Sequence, residues 1–361
     1  MNPFKPTAGK MPPELIGRDF VVEEFQEGLR NGPGAPERLM RITGSRGMGK
    51  TVMLNELGRI AKQNGWNVVA ETASEGFCTR ILNSLSPRSR VSQASIQPSA
   101  LGVELGSLSL DLAPLSLREA IAKATKKNGL LITLDEVQDA SIDEIRALAV
   151  AIQHSIGDDL NIAFAFAGLS SMVDRVVNGK TLTFLRRAFP ENLSPLCNNE
   201  VALSYQDTVR TNGMRISDDV ANFMALSAQG YPFMVQLVGY YTWKAAQRRG
   251  SGSVDQIDAD QGSAMAREQF DRMVIEPALQ DVSPMALRYL LAMAEDEGIP
   301  SRTGDIAQRL DKSLTELSSC RDRLIRESVI EPAGRGFIAF AIPYMKDYLA
   351  AHRSELLAEL P

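Results

Sequence analysis

The sequence predicts an α/β protein built on a parallel sheet, followed by an all-helical region and a small domain of helices closed by a β-hairpin. Three observations predict it. The mainly apolar run Leu39-Met40-Arg41-Ile42-Thr43 leads directly into the glycine-rich loop Gly44-Ser45-Arg46-Gly47-Met48-Gly49-Lys50-Thr51 and then into a helical pattern from Val52, which is the opening of a βαβ unit. The runs Leu130 to Leu134 and Asn161 to Gly168 are apolar over the length of buried parallel strands. From Asn198 onward the spacing is helical, until a turn and two short β runs appear between Val329 and Phe340.

The elements follow in order. Residues 1–13 are rich in proline and read as an irregular arm. Phe20, Val21, Phe25 and Leu29 then share one face of a helix, which the Gly- and Pro-dense stretch 31–36 ends. A strand over 38–43, a helix over 50–63 stopped by Asn64-Gly65, and a strand from Trp66 to Ala73 complete the first βαβ rhythm. Residues 80–116 read as an insertion: Ser84 to Ser99 is polar, and Leu101 to Leu110 alternates as a strand or hairpin does. A helix over 115–127, the strand at 130–134, a helix over 142–155, the strand at 161–168 and a short strand at 191–196 complete the sheet domain. Ser217 caps a helix containing Phe223, Leu226 and Ala228, and Gly230-Tyr231-Pro232 opens another whose Phe, Tyr and Trp residues read as core. A loop is expected over 250–263. Past residue 281, helices at 284–293, 302–310 and 313–327, the third with Leu314, Leu317, Leu324 and Ile325 inward, precede the hairpin. That order is a winged helix. The expected domains are therefore the arm 1–13, a nucleotide-binding core 14–197, a helical region 198–280 and a winged helix 281–361.

Composition bounds the function. With 361 residues, 44% hydrophobic and 23% charged, the chain is globular and too long for one ordinary core. A net charge of −5 and a pI near 5.4 do not suggest nucleic acid or an anionic membrane as a partner for the whole molecule. The start has no apolar core of a signal peptide, and no apolar run is long enough to span a bilayer, so a cytoplasmic protein without a membrane partner is expected. Cys78, Cys197 and Cys320 are far apart and read as reduced structural thiols, and only two histidines, His154 and His352, argue against a histidine metal site or triad.

The chemistry resides in two motifs. The spacing of Gly44, four residues, Gly49-Lys50-Thr51 is that of a phosphate-binding loop. Glycines let successive N–H groups point into one concavity, the helix aims its positive end at the same phosphates, Lys50 offers a cation, and the Thr51 hydroxyl offers a ligand for Mg²⁺. Asp135-Glu136 then closes a buried strand where such sheets place ligand groups: Asp135 for the metal and Glu136 to polarise a water. Paired acids with no acceptor site argue for hydrolysis over transfer. In the C-terminal domain, Arg321, Arg323 and Arg326 lie on the third helix with Arg335 on the wing, against Glu316, Asp322 and Glu327 on the same helix. DNA and a protein partner both stay open.

On these residues the chain resembles the AAA+ ATPases, within them the bacterial and archaeal origin-recognition-like and STAND-like proteins, over nearly its whole length. GSRGMGKT matches Walker A and LLITLDE matches Walker B. The resemblance implies a P-loop core, a helical lid and a winged helix, with ATP and Mg²⁺ as ligands and ATP hydrolysis as the activity. It places Ile16, Gly17 and Arg18 around the adenine, Gly44 to Val52 around the phosphates, Ser170 or Ser171 at sensor 1, Pro232 in the lid motif, and Arg186 or Arg187 as an arginine finger. Lys50 and Glu136 join these arginines as catalytic groups, and assembly into ATP-dependent homo-oligomers is implied. The sequence departs from the initiators at two places: sensor 1 offers serine for the usual Asn or Thr, and Pro232-Phe233-Met234-Val235-Gln236 has no sensor 2 arginine. A nucleotide-gated switch or scaffold with slow turnover, docking a protein on its winged helix, is the alternative.

Overall fold

The computed structural model describes residues 1–7, 9–85, 109–170, 173, 177, 183–280, 282–298, 300–358 and 360. These form two compact units, residues 18–44 with 50–193, and residues 1–17 with 45–49 and 194–361.

The first of these is the sheet unit. Its helices and strands are α1 (Asp19–Asn31), β1 (Leu39–Thr43), α2 (Lys50–Gln63), β2 (Asn67–Thr72), α3 (Phe77–Leu85), α4 (Ser109–Ala124), β3 (Leu130–Asp135), α5 (Ile142–Gly157), β4 (Ile162–Gly168) and β5 (Phe189–Asn192). The five strands are parallel in the order β2-β3-β4-β1-β5. β4 is buried at every residue, so it reads as a continuous apolar run. Leu130, Ile132 and Leu134 enter one core with Phe77, Ile121, Ile145, Leu148 and Phe166. Period-two alternation sends Thr133 and Asp135 to the opposite face, where they line a cavity with Thr51 and Leu54 of α2. Removing the ring of a fully buried residue such as Phe166 would cost about 3–5 kcal/mol.

Several local expectations change. Phe20 is exposed, and the α1 stripe is Val21, Phe25 and Leu29, because Phe20 lies off the arc those three define. α4 starts at Ser109, so the alternating pattern seen at 109–110 belongs to a helix; the expected hairpin over 101–108, the polar stretch from 86 and Ser171 lie outside the described residues. Arg38, unremarked in the sequence, is buried, donating to the carbonyls of Gly28 (2.7 Å) and Leu29 (2.8 Å) and to Asn161 Oδ1 (2.6 Å). It satisfies carbonyls that the end of α1 leaves without intrahelical partners, and burial lowers its pKa.

The second unit contains α6 (Asn198–Thr211), α7 (Asp218–Ala228), α8 (Pro232–Arg249), α9 (Gln256–Phe270) and, after a single wide turn at Asp271–Ile275, α10 (Glu276–Gln280). Ser217 caps α7 by accepting from the Val220 amide. Two-residue strands β6 (Arg215–Ile216) and β7 (Ser253–Val254) pair in parallel within this mostly helical region, and α9 begins inside the stretch that looked like loop. The buried Asp258 explains that start: it accepts from the Asp255 amide (2.9 Å) and from Arg249 Nη2 (2.5 Å). The N-terminal arm is anchored here too. Phe4 is buried edge-on to Tyr205 at 5.8 Å, and the Lys5 amide donates to Gln236 Oε1 at 3.0 Å.

The C-terminal part is a winged helix: α11 (Pro284–Ala294), β8 (Ser301–Arg302), α12 (Thr303–Arg309), α13 (Leu314–Arg326), β9 (Ile330–Pro332) and β10 (Phe337–Phe340), followed by α14 (Met345–Ala351) and α15 (Arg353–Ala358). The wing sheet is antiparallel in the order β8-β10-β9. Ser313 and Glu316 form the capping box that starts α13. Leu317 and Leu324 are buried, whereas Leu314, at the first helical position, is exposed. Tyr344 fastens this domain to the helices before it: its hydroxyl donates to the Ser227 carbonyl, and the Arg267 guanidinium lies over its ring at 4.2 Å. Among the described residues no helix is long and apolar enough to cross a membrane.

Candidate functional site

The site grows from the C-terminal edge of the parallel sheet. β1 delivers Gly44, and α2 begins at Lys50. Gly44, Gly47 and Gly49 all have positive φ, at 153°, 77° and 90°, in the region that L side chains avoid. The buried Lys50 turns back so that Nζ donates to the Gly44 carbonyl at 2.9 Å, closing the loop at its ends. Met48 is buried and Val52 half-buried. In the middle of the loop, the buried Tyr231 donates its hydroxyl to the Arg46 carbonyl at 2.6 Å. A Cβ on Gly47 would lie 1.9 Å from that hydroxyl oxygen, so glycine is required there by contact as well as by φ.

The acids occupy the end of β3. Thr51 Oγ1 donates to Asp135 Oδ2 at 2.5 Å, and the Glu136 amide donates to Asp135 Oδ1 at 2.9 Å. Burial is the main reason the Asp135 carboxyl is pushed above its usual range, with the Thr51 hydrogen bond opposing it and the neighbouring Glu136 charge adding to it. Glu136 sits at φ 53°, a left-handed conformation unusual for a residue with a Cβ. Its carboxylate accepts from Gln138 Nε2, while Gln138 Oε1 accepts from the Leu169 amide at 3.3 Å. Gln138 thus ties Glu136 to the end of β4, a role the sequence reading missed; its position two residues after the paired acids was the available signal.

A second missed group is Asn192, at the end of β5. Its Oδ1 accepts from Thr43 Oγ1 at 3.2 Å and from Ser170 Oγ at 3.4 Å, joining the last residue of β1 to the segment that follows β4. A cavity of about 410 Å³ opens beside Thr51 and Asp135, lined also by Asn55, Glu71 and Arg80. Arg80 is held at 2.9 Å by Glu71 Oε2 and by the Thr72 carbonyl, which fixes the turn after β2. Glu144 of α5 holds the same turn from the other side, accepting from the Gly76 and Cys78 amides. Burial, then the nearby Glu144, push the Cys78 thiol up to about 12, so it is a packing residue at neutral pH.

The remaining candidates are spread out. Gly17 has φ 60° and lies against Glu200, where a Cβ would come within 2.6 Å of the carboxylate. Arg18 is the N-cap residue of α1. Its charge pulls against the burial and the nearby Glu24 that raise the Glu191 carboxyl. Ile16 is half-buried and Pro232 is the first residue of α8, where a missing N–H costs nothing. Arg186 and Arg187 are exposed in the single turn Thr183–Arg187, and Arg186 Nε donates to the Val177 carbonyl at 3.0 Å. The three cysteines are free.

Comparison with known proteins bears on the domain and the fold. Residues 14–160 match the AAA ATPase domain family, and residues 272–349 match a domain of unknown function, DUF8462. No curated protein is a match. Solved structures with the same fold include the ORC2 protein of Aeropyrum pernix with ADPNP and ADP, at TM-score 0.65 and 15% identity over 98% of this chain and 97% of that one. A Walker-type ATPase of Pyrococcus abyssi has TM-score 0.65 and 16% identity over 94% and 97%. The ORC1 protein of Aeropyrum pernix in complex with DNA has TM-score 0.51 and 15% identity over 97% and 96%. Residues 14–160 thus carry an AAA ATPase domain, and the chain shares its fold with the ORC1 and ORC2 proteins of Aeropyrum pernix.

Proposed function

We propose that this AAA+ ATPase binds Mg·ATP on Gly44 to Thr51, hydrolyses it with Glu136 as the base, and uses the nucleotide state to move its helical region and winged helix. The observation that carries the reading is the Thr51–Asp135 hydrogen bond with Glu136 one residue further on, at the mouth of the glycine loop's helix. Lys50, which now donates to the Gly44 carbonyl, would exchange that partner for phosphate oxygens. Gln138 orients the Glu136 carboxylate, leaving its other oxygen to take a proton from water. Thr51 and Asp135 would hold Mg²⁺, which when bound supplies positive charge for the phosphates. A hydroxyl and a buried carboxylate with a raised pKa suit an oxygen-seeking cation, since the cation relieves the burial. Adenine recognition is assigned to Ile16, Gly17 and Arg18 with Pro232, γ-phosphate sensing to Ser170, and an arginine finger acting on a neighbouring copy to Arg186 or Arg187.

Single-turnover hydrolysis tests this. Glu136→Gln is expected to keep ATP binding and to lose about 10²–10⁴-fold in rate; wild-type turnover in that variant would remove Glu136 from the role. Mass in solution with an ATP analogue tests the finger, which requires assembly.

One observation favours a second reading, a slow switch whose winged helix docks a protein. Arg321 pairs with Asp322 at 3.3 Å and Arg323 with Glu327 at 2.7 Å, so two arginines of α13 already face acids. Duplex binding at low salt with stimulated turnover would favour action on DNA; the absence of both would favour the switch.

A further inference from the structure

Ser45, the residue after Gly44 in the glycine loop, donates its hydroxyl to Glu331 Oε2 at 3.0 Å. Glu331 is the middle residue of β9, an edge strand of the wing, where it pairs with Ala339. The wing does not need this contact to form, because Ile330 with Phe340 and Pro332 with Ile338 set its register. Glu331 is exposed, and among the described residues it has no ion-pair partner.

The sign of the charge gives the contact its meaning. A loop of amides and a lysine is built to hold a polyanion, and a carboxylate at its rim is an anion already there. A phosphate chain entering the loop would bring negative charge towards the carboxylate that Ser45 holds at its rim, and like charges repel unless one of them moves. The phosphates are covalently joined and would be held by Lys50, whereas Glu331 is an exposed side chain on an edge strand. The same domain has a second anchor that does not involve Glu331: Tyr344 is held by Ser227 and Arg267, and its ring meets Phe270 at 5.9 Å, which in turn meets Tyr231 at 5.5 Å.

We propose that Glu331 is a nucleotide-responsive latch: its carboxylate competes with the triphosphate for the glycine loop, so that nucleotide expels it and frees the wing hairpin while the Tyr344 anchor stays closed. The proposal rests on the reading that Gly44 to Thr51 binds nucleotide phosphates. By linkage, the factor by which the latch weakens nucleotide binding is the factor by which nucleotide weakens the latch.

The experiment is a titration of the full chain with Mg·ATPγS, followed by hydrogen exchange with and without it, for the parent protein, Glu331→Gln and Glu331→Ala. Both substitutions sit on an exposed edge, and circular dichroism verifies the fold. Both are expected to bind about fivefold more tightly than the parent. In the parent, nucleotide is expected to raise amide exchange over residues 330–340 and leave 344–351 unchanged; in the variants the hairpin already exchanges fast and does not respond. Equal affinity in parent and variants, or weaker binding in the variants, overturns the latch while leaving the phosphate site in place. Failure of the parent to bind nucleotide overturns the site and the latch with it.

Discussion

The two ends of the glycine loop and its middle are held by different means. At the ends, Lys50 bonds to Gly44 and Thr51 bonds to Asp135, partners supplied by the loop itself or by the strand whose acids were evident in sequence. In the middle, Arg46 and Gly47 meet Tyr231, and Ser45 meets Glu331, partners more than 180 residues away along the chain. The contacts at the ends are local, and the restraint on the middle of the loop is long-range. Substitutions at the ends are therefore expected to remove chemistry, and substitutions at the middle to change how the loop responds.

The largest effect is expected from Lys50→Ala. Loss of the only lysine in the loop should lower ATP affinity by about 100-fold or more by calorimetry, with the melting temperature little changed. Retained binding would break the assignment of the ends to chemistry. Gly47→Ala comes next and has the opposite profile. The new Cβ meets the Tyr231 hydroxyl and a φ of 77°, so about 2–4 kcal/mol of stability should be lost in denaturant unfolding. In a Tyr231→Ala background, which itself loses about 3–5 kcal/mol because that ring is buried, Gly47→Ala should cost less, since only the backbone part of its penalty remains. The smallest effect is that of Tyr231→Phe, which removes one hydrogen bond to Arg46 and should cost about 1 kcal/mol. A loss of nucleotide binding in Tyr231→Phe as deep as that in Lys50→Ala would erase the distinction between ends and middle.

The same division explains what the sequence disclosed. β3 and β4 were legible because a strand buried on both faces must be apolar throughout, and the loop was legible because its glycines, lysine and threonine act within eight residues. Periodicity misled at single residues: Phe20 and Leu314 are apolar but lie at the exposed first turns of their helices. Arg38, Gln138, Asn192, Tyr231 and Glu331 were not assigned because each is defined by a partner brought near only by the fold, and no short spacing encodes such a meeting. Asp258 shows the same point within a helix: a buried acid sets the start of α9, although the residues around it are those of a loop.

The backbone at Glu136 has a consequence for how such a chain responds to selection. A residue with a Cβ held at φ 53° costs about 1–2 kcal/mol relative to glycine in the same place. Selection for heat tolerance alone would therefore favour glycine or asparagine at this position and discard the carboxylate. A chain of this kind bred only for a higher melting temperature would lose early the carboxylate to which we assign water activation, and gain stability as it did so.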